Sequence, residues 1–480
     1  MLDPTNWPAF RERSHRLLDE LLDNLEHIAD GPVWHELPEE IQARLRSPMP
    51  QEPSTFEAVC DEFVRDILPY PTGNQHPRFF GWVHGTATPS GALADLAASF
   101  LNSNLGGRNH GAVYVERQVI RWFADLFSFP QSASGLLTVG TSVANLLAVV
   151  VARSRALGHD VRERGLREGP ALVGYASTAT HACVRKAFEI SGIGSNALRV
   201  LPVDDDHRLD PRLVHAEIAR DRAAGLVPFL VVGNAGTVDT GAIDPLDELA
   251  DLAAAERIWF HVDGAFGALA ALAPSLRPLL HGIERADSLA FDFHKWLHVP
   301  YDAGCVLVTD GELHRATFAS EGPYITRMTR GLAGASPWFT DYGIDLSRSF
   351  RALKVWFAIK EHGAARLGAS IEHNVRLAHR LAELVMADPQ FELLAPVCLN
   401  IVCFRYLMAN ADDGVLDRFN DELVIRLQES GRAVTSSTTI DGKRAIRVNL
   451  TNHRTCEADL HILLEALRDI AAGMRSEPSR

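Results

Sequence analysis

The chain has 480 residues, 46% hydrophobic and 22% charged, an ordinary globular composition with length for more than one domain. Its formal net charge is −14, with a pI of about 5.8 and no long Lys/Arg run, which argues against nucleic acid or an anionic membrane surface as a partner. The cysteines at 60, 183, 305, 398, 403 and 456 form no C-x-x-C pair, so a reduced thiol set is expected, with neither a disulfide framework nor a metal site. The N-terminus lacks a basic segment followed by an apolar one. The longest apolar stretch, around Leu136–Ala152, is interrupted by Gly140, Thr141, Ser142 and Asn145. The expectation is a cytoplasmic protein with no signal peptide and no membrane span.

Residues 8–29 read as one amphipathic helix, with Leu18, Leu21, Leu22, Leu25 and Ile28 at helical spacing. A proline-marked stretch follows (Pro32, Pro38, Pro48, Pro50, Pro53), then a helix near Thr55–Ile67. Such a segment has little core of its own and must pack on the rest of the chain or on a second copy. From about 78 to 350 short apolar strands alternate with helices. Strands are predicted at Ala171–Tyr175, Ala197–Leu201, Val227–Val232, Ile258–Val262, Ser288–Phe291 and Cys305–Thr309, and helices at Gly140–Ala156, His181–Ile190 and Pro245–Glu256. That alternation implies a mostly parallel sheet covered on both faces. Beyond 353 come helices near Lys354–Glu361 and Ser370–Met386, strands at Leu399–Tyr406 and Ala445–Asn449, and a last helix near Glu457–Ala472, read as a smaller α/β domain.

Local features with chemical content fall at the ends of these strands, where open α/β sheets bind ligands. In Ile258-Trp-Phe-His-Val-Asp263-Gly-Ala265 an apolar strand delivers a carboxylate and then opens into small residues. This is either a turn-starting Asp or a carboxylate held against a cationic heterocycle, as the pyridine ring of pyridoxal 5′-phosphate (PLP) requires. In Asp292-Phe293-His294-Lys295-Trp296 a lysine follows the next apolar strand. An unpaired buried ammonium is costly, so this is either a surface lysine whose stem snorkels along the apolar strand or a lysine that is neutralised, paired or used covalently. Gly140-Thr141-Ser142 opens a long apolar helix, as a plain cap or as a phosphate site with Thr141 and Ser142 as ligands. His181 opens another helix, as a capping histidine or as a ring able to lie on the pyridine.

Together these motifs resemble the group II PLP-dependent decarboxylases, the family of aromatic-L-amino-acid, histidine, glutamate and diaminobutyrate decarboxylases. The resemblance runs through His76-Pro-Arg-Phe-Phe80, Gly140-Thr-Ser with Asn145, His181, Gly236-Thr237, His261-Val-Asp263-Gly-Ala265, His294-Lys-Trp296 and Arg348-Ser-Phe-Arg351 to Trp356. It implies the type I PLP-dependent transferase fold, an α/β architecture with a mostly parallel seven-stranded sheet covered by helices. The implied division is an N-terminal helical dimerisation segment over 1–77, a large PLP-binding domain over 78–352 and a small C-terminal domain over 353–480.

By the same resemblance, Lys295 is the Schiff-base lysine and Asp263 the pyridinium partner. His181 stacks on the ring and Ala265 packs on its other face. Thr141 and Ser142 hold phosphate, with Asp292 beside it. His294 lies near the substrate carboxylate or phosphate. Thr237 belongs to the cofactor site, although Val238 stands where animal aromatic decarboxylases carry a second Thr. Tyr324, in a Gly-, Thr- and Arg-rich loop contributed across a dimer interface, protonates the substrate carbon after CO2 leaves, with His181 as the alternative donor; relatives with Phe at the tyrosine position tend to be aldehyde synthases. Trp82, Val83, Asn109, His110 and Ser347 are the expected substrate-pocket residues, with Arg78 and Arg108 as possible readers of a distal carboxylate. The implied activity is decarboxylation of an L-amino acid, aromatic by preference, in an obligate homodimer. Acidic or diamino substrates (glutamate, aspartate, 2,4-diaminobutyrate) and other PLP reactions (aldehyde synthase, lyase, aminotransferase) remain as alternatives.

Overall fold

The computed structural model describes residues 2–167, 169–320, 322 and 327–476. Its described residues cluster into two compact units, one of 85–379 with 395–402 and the other of 1–84, 380–394 and 403–480. The N-terminal helices and the C-terminal strands, far apart in sequence, therefore share a unit.

The larger unit is built on a seven-stranded sheet of Ser134–Thr138 (β1), Leu172–Ser177 (β2), Leu198–Leu201 (β3), Val227–Asn234 (β4), Trp259–Asp263 (β5), Ser288–Asp292 (β6) and Gly304–Val308 (β7). The strand order is β1-β7-β6-β5-β4-β2-β3. Strands β2 to β6 run parallel, and β7 is antiparallel to both β6 and β1. Every apolar run read as a strand in this region forms one. The strand hidden from the sequence pattern is β1, whose Leu136-Leu137 pair runs almost directly into a helix, so that the two look like one apolar stretch.

That helix, Thr141–Leu157, is buried along Ala144, Leu147, Ala148 and Val151, residues spaced to share one face. Asp210 and Asp310 cap two other helices of this unit, their carboxylates accepting from the N–H groups of Arg212 and Leu313. The helical span Ala352–Ala387 is two helices meeting at Gly363, whose φ of 70° and ψ of 157° interrupt the helical backbone. This matches the two separate helices expected there.

In the smaller unit a five-stranded sheet has the order Phe79–Phe80, Val434–Ile440, Lys443–Asn449, Ile401–Tyr406, Phe391–Leu393. Phe79 and Phe80 pair in parallel with Val434 and Thr435, fastening the N-terminal segment to the C-terminal strands. The polar run Val434–Ile440 and the short helix Glu39–Leu45 were not legible as elements. No helix among the described residues is long and apolar enough to cross a membrane.

One buried ion pair braces the strand leading into the site. Arg348 bonds Glu116 and donates to the carbonyls of Leu105 (2.9 Å) and Leu137 (2.7 Å), while Leu137 N–H donates to Glu116 (3.3 Å). Removing one member strands the other charge in the interior. Arg348→Met should therefore destabilise the protein by about 3–5 kcal/mol in a denaturant titration. An unchanged midpoint would show that the pair does not brace β1.

Candidate active site

The C-terminal ends of β5 and β6 deliver the two residues singled out from sequence. Asp263 closes β5, pairing in register with Asn234 of β4 and Ala290 of β6. Its side chain is buried, and burial pushes its carboxyl upward. An amide bond from Asn145 and the nearby charges of Lys295 and His181 pull in the other direction. Asn145 Nδ2 donates to Oδ2 at 2.9 Å, and Ala265 N–H donates to Oδ1 at 3.1 Å.

Lys295 sits in the single helical turn Phe293–Trp296 directly after β6. Its Nζ lies 3.1 Å from Asp292 Oδ2, and its side chain keeps 19% exposure, so the amine is paired yet approachable. Asp292 also accepts the N–H of Thr141 at 2.7 Å, tying the start of the long helix to the end of β6. His294 accepts Ala303 N–H on Nδ1 at 3.0 Å. Its Nε2 therefore faces Asp292 Oδ2, 3.6 Å away, and its ring centroid is 4.4 Å from that of Tyr301. Burial holds the His294 imidazole below its usual pKa and pushes the Tyr301 phenol up to about 12.

Thr141 Oγ1 is buried and has no hydrogen-bond partner among the described residues. An orphaned hydroxyl at the N-terminus of a 17-residue helix fits an anionic group, and Ser142 beside it is exposed. His181 caps its helix, accepting Cys183 N–H on Nδ1 at 3.2 Å, with an exposed ring. The capping and ring-stacking readings are thus compatible. Thr237 is buried with its hydroxyl engaged locally, 3.1 Å from Thr240 Oγ1 and accepting Ala242 N–H at 3.1 Å.

A buried carboxylate with no side-chain cation bonded to it among the described residues, an orphaned hydroxyl at a helix start and an accessible lysine share this sheet edge. Together they match the pyridine nitrogen, phosphate and aldehyde of PLP. The comparisons with known proteins agree. The Pyridoxal-dependent decarboxylase conserved domain matches residues 38–407. The chain is 33% identical to an aromatic-L-amino-acid decarboxylase of Bacillus atrophaeus over 96% of this chain and 95% of that protein.

The chain belongs to the pyridoxal-dependent decarboxylase family. It is a PLP-dependent amino-acid decarboxylase. A phenylacetaldehyde synthase of Arabidopsis thaliana is 30% identical over 93% of this chain and 92% of its own length. The crystal structure of Oryza sativa TDC with PLP and tryptamine superposes with a TM-score of 0.90 at 27% identity, covering 99% of this chain and all of that one (100%). The type I fold expected of this decarboxylase is thereby shown.

The expected substrate-pocket residues divide between the units. Asn109, His110 and Ser347 lie in the larger one, where the segments carrying them run side by side. Leu105 N–H donates to Arg348 O at 2.9 Å, and Arg348 N–H donates to Asn104 Oδ1 at 3.0 Å. Trp82 and Val83 belong to the smaller unit, with Trp82 half-exposed at a φ of 49°. Tyr324 lies outside the described residues. The sequence reading missed the role of Asn145 as partner of Asp263. The signal was its position one helical turn after Thr141, on the same face of the helix.

Close approach of backbones at this edge requires glycine. A Cβ on Gly304 would lie 2.5 Å from Gly140 Cα and 2.7 Å from Asp292 Oδ1. Overpacking of this kind costs about 1–3 kcal/mol. Gly304→Ala should therefore weaken PLP affinity about tenfold or more, measured by equilibrium dialysis of the folded variant. Undiminished affinity would show that the contact does not shape the cofactor site.

Proposed function

We propose that this decarboxylase acts on aromatic L-amino acids, releasing CO2 and the corresponding amine. Resemblance along nearly the whole chain to the Bacillus aromatic-L-amino-acid decarboxylase carries the substrate class. The likeness to the Oryza sativa TDC structure with PLP and tryptamine supports it. So does the engagement of the two arginines considered as readers of a distal carboxylate. Arg78 donates to Arg432 O at 2.9 Å and lies 3.7 Å from Asp459, while the Arg108 guanidinium stacks 4.3 Å above Trp338.

When bound, PLP supplies a protonated ring that draws in the electrons of the breaking Cα–carboxylate bond. The chain's contribution is to hold, orient and protonate. Lys295 Nζ would hold the cofactor as a Schiff base, the Asp263 carboxylate would keep the proton on the pyridine nitrogen, and the hydroxyls of Thr141 and Ser142 would hold phosphate, with Asp292 beside it. His181 and Ala265 would pack on the two ring faces, and Thr237 would line the same site. His294, fixed by Ala303, would face the substrate carboxylate or the phosphate. Trp82, Val83, Asn109, His110 and Ser347 would line the side-chain pocket. Tyr324 or His181 would deliver the proton to the substrate α-carbon.

We further propose an obligate homodimer with active sites at its interface, in the cytoplasm. Apolar side chains left exposed on helices support the dimer: Trp7, Leu21 and Leu22 in the smaller unit, and Leu93, Leu96 and Phe100 in the larger. The domain division at 77/78 and 352/353 remains our functional partition of the chain.

Purified enzyme should release CO2 from dihydroxyphenylalanine, tryptophan or tyrosine in preference to glutamate, aspartate and 2,4-diaminobutyrate; preference for the latter group would overturn the substrate class. Lys295→Ala should lose the visible cofactor absorbance and turnover together, and normal turnover in that variant would refute the role given to Lys295. A second reading, aldehyde formation, draws on the resemblance to the Arabidopsis synthase. Tyr324→Phe should shift the product from amine to aldehyde, ammonia and hydrogen peroxide with uptake of O2 and water, CO2 being released in either case. An unchanged product ratio would remove Tyr324 from the proton-delivery step.

A further inference from the structure

Behind Asp263 a line of buried polar side chains continues across the sheet, all within the larger unit. Asn145 Oδ1 is 2.7 Å from His261 Nε2, His261 Nδ1 is 2.8 Å from Ser288 Oγ, and Trp259 Nε1 donates to Ser288 Oγ at 2.8 Å. Asn145, His261 and Ser288 are wholly enclosed, and Trp259 nearly so. None of the three outer members, His261, Ser288 and Trp259, is needed for the mechanism above.

Buried polar groups always need partners, so bonding alone would imply nothing. The direction of every bond in this line is what matters. An ionised Asp263 can only accept, so the Asn145 amide must face it with Nδ2, whose second N–H goes to Cys183 Sγ at 3.1 Å. Burial pushes that thiol up to about 12, so Cys183 brings no competing negative charge. Asn145 Oδ1 is then a pure acceptor and requires a proton on His261 Nε2. Burial lowers the His261 pKa to about 4, so the ring is neutral and Nδ1 accepts. The Ser288 hydroxyl must then donate to Nδ1, which leaves its oxygen to accept the indole N–H of Trp259, a donor only. With Asp263 ionised, each assignment follows from its neighbour, and the donors from Trp259 through Ser288, His261 and Asn145 run in sequence towards it. A protonated Asp263 would require the Asn145 amide turned over and the other tautomer of His261.

We propose that Asn145 and His261, oriented by Ser288 and Trp259, are positioning residues that keep Asp263 ionised and so set how strongly it holds the protonated pyridine nitrogen of PLP. The proposal rests on the reading of Asp263 as partner of that nitrogen. The relay acts on a charge, so its loss should be felt only by a cofactor that has the nitrogen.

The test compares the affinity of the apoenzyme for PLP with its affinity for 1-deaza-PLP, in which carbon replaces the pyridine nitrogen. Wild type should prefer PLP. His261→Leu should reduce that preference about tenfold or more, the scale of one hydrogen bond supporting a buried charge. His261→Gln, whose amide N–H can reach the place of Nε2, should retain it to within about threefold. A merely structural defect would weaken both affinities together and leave their ratio unchanged, and that result overturns the proposal. Should His261→Leu fail to fold, Trp259→Phe removes the terminal N–H together with part of the ring, a loss of packing that would weaken both affinities alike and leave their ratio to report the N–H. A fall of about threefold in the ratio supports the relay, and no change overturns it. No preference in the wild type would overturn the proposal together with the role of Asp263, while leaving the CO2-release assignment to its own test.

Discussion

The cost of keeping a carboxylate charged inside the protein governs the rest of this structure. Asp263 lies at the end of a buried strand, where loss of water alone would drive it neutral. In the role proposed for Asp263, a cofactor with a cationic ring would offset that loss. Among the described residues the hydrogen bonds to Asp263 come from neutral donors rather than a cation: an amide N–H from Asn145, a backbone N–H from Ala265 and, at 4.0 Å, the Cys183 thiol. An arginine in bonding contact would stabilise the anion more strongly and would also compete with the pyridinium for it. Neutral donors oppose the upward push of burial on this carboxyl and leave its oxygens available.

The same constraint explains the small residues around it. Strand ends, a helix start and a single helical turn must converge within a few ångströms, and side chains would hold them apart. A Cβ on Gly264 would lie 2.6 Å from that of Ala268, and one on Gly85 would lie 1.8 Å from His294 O. Glycine is needed at these positions for close packing; neither has a left-handed φ.

Lys295 and Asp263 were legible because each stands where an apolar run ends, and a charged residue there is costly unless it is used. The parallel α/β core was legible for the same reason, since buried strands are short continuous apolar runs. Less visible were features set by partners distant in sequence. Strand β1 is concealed by the apolar helix that follows it. The strand Val434–Ile440 is mostly Ser and Thr, and its place comes from pairing with Lys443–Asn449. Asn145 could be placed in the family motif, yet its bond to Asp263 appears only once the fold brings the two together. Thr237 could be placed in the cofactor motif, yet nothing in its local sequence announced that Thr240 and Ala242 engage its hydroxyl.

Strand β7 completes the argument. In an all-parallel sheet only C-terminal strand ends and the loops after them would face the ligand edge. Because β7 is antiparallel, its first residue, Gly304, pairs with Asp292, the last residue of β6, and the chain just before it reaches the same edge. Ala303 then accepts N–H groups from Phe293 and His294 and donates its own to His294 Nδ1. These bonds shape the single helical turn that carries Lys295 and fix the face that His294 turns to Asp292. A parallel strand in that place would bring its C-terminal end to the edge, and the turn would lose the backbone partner that orients it. The one reversed strand therefore supplies from the backbone the rigidity that the lysine-bearing turn, at four residues, is too short to provide for itself.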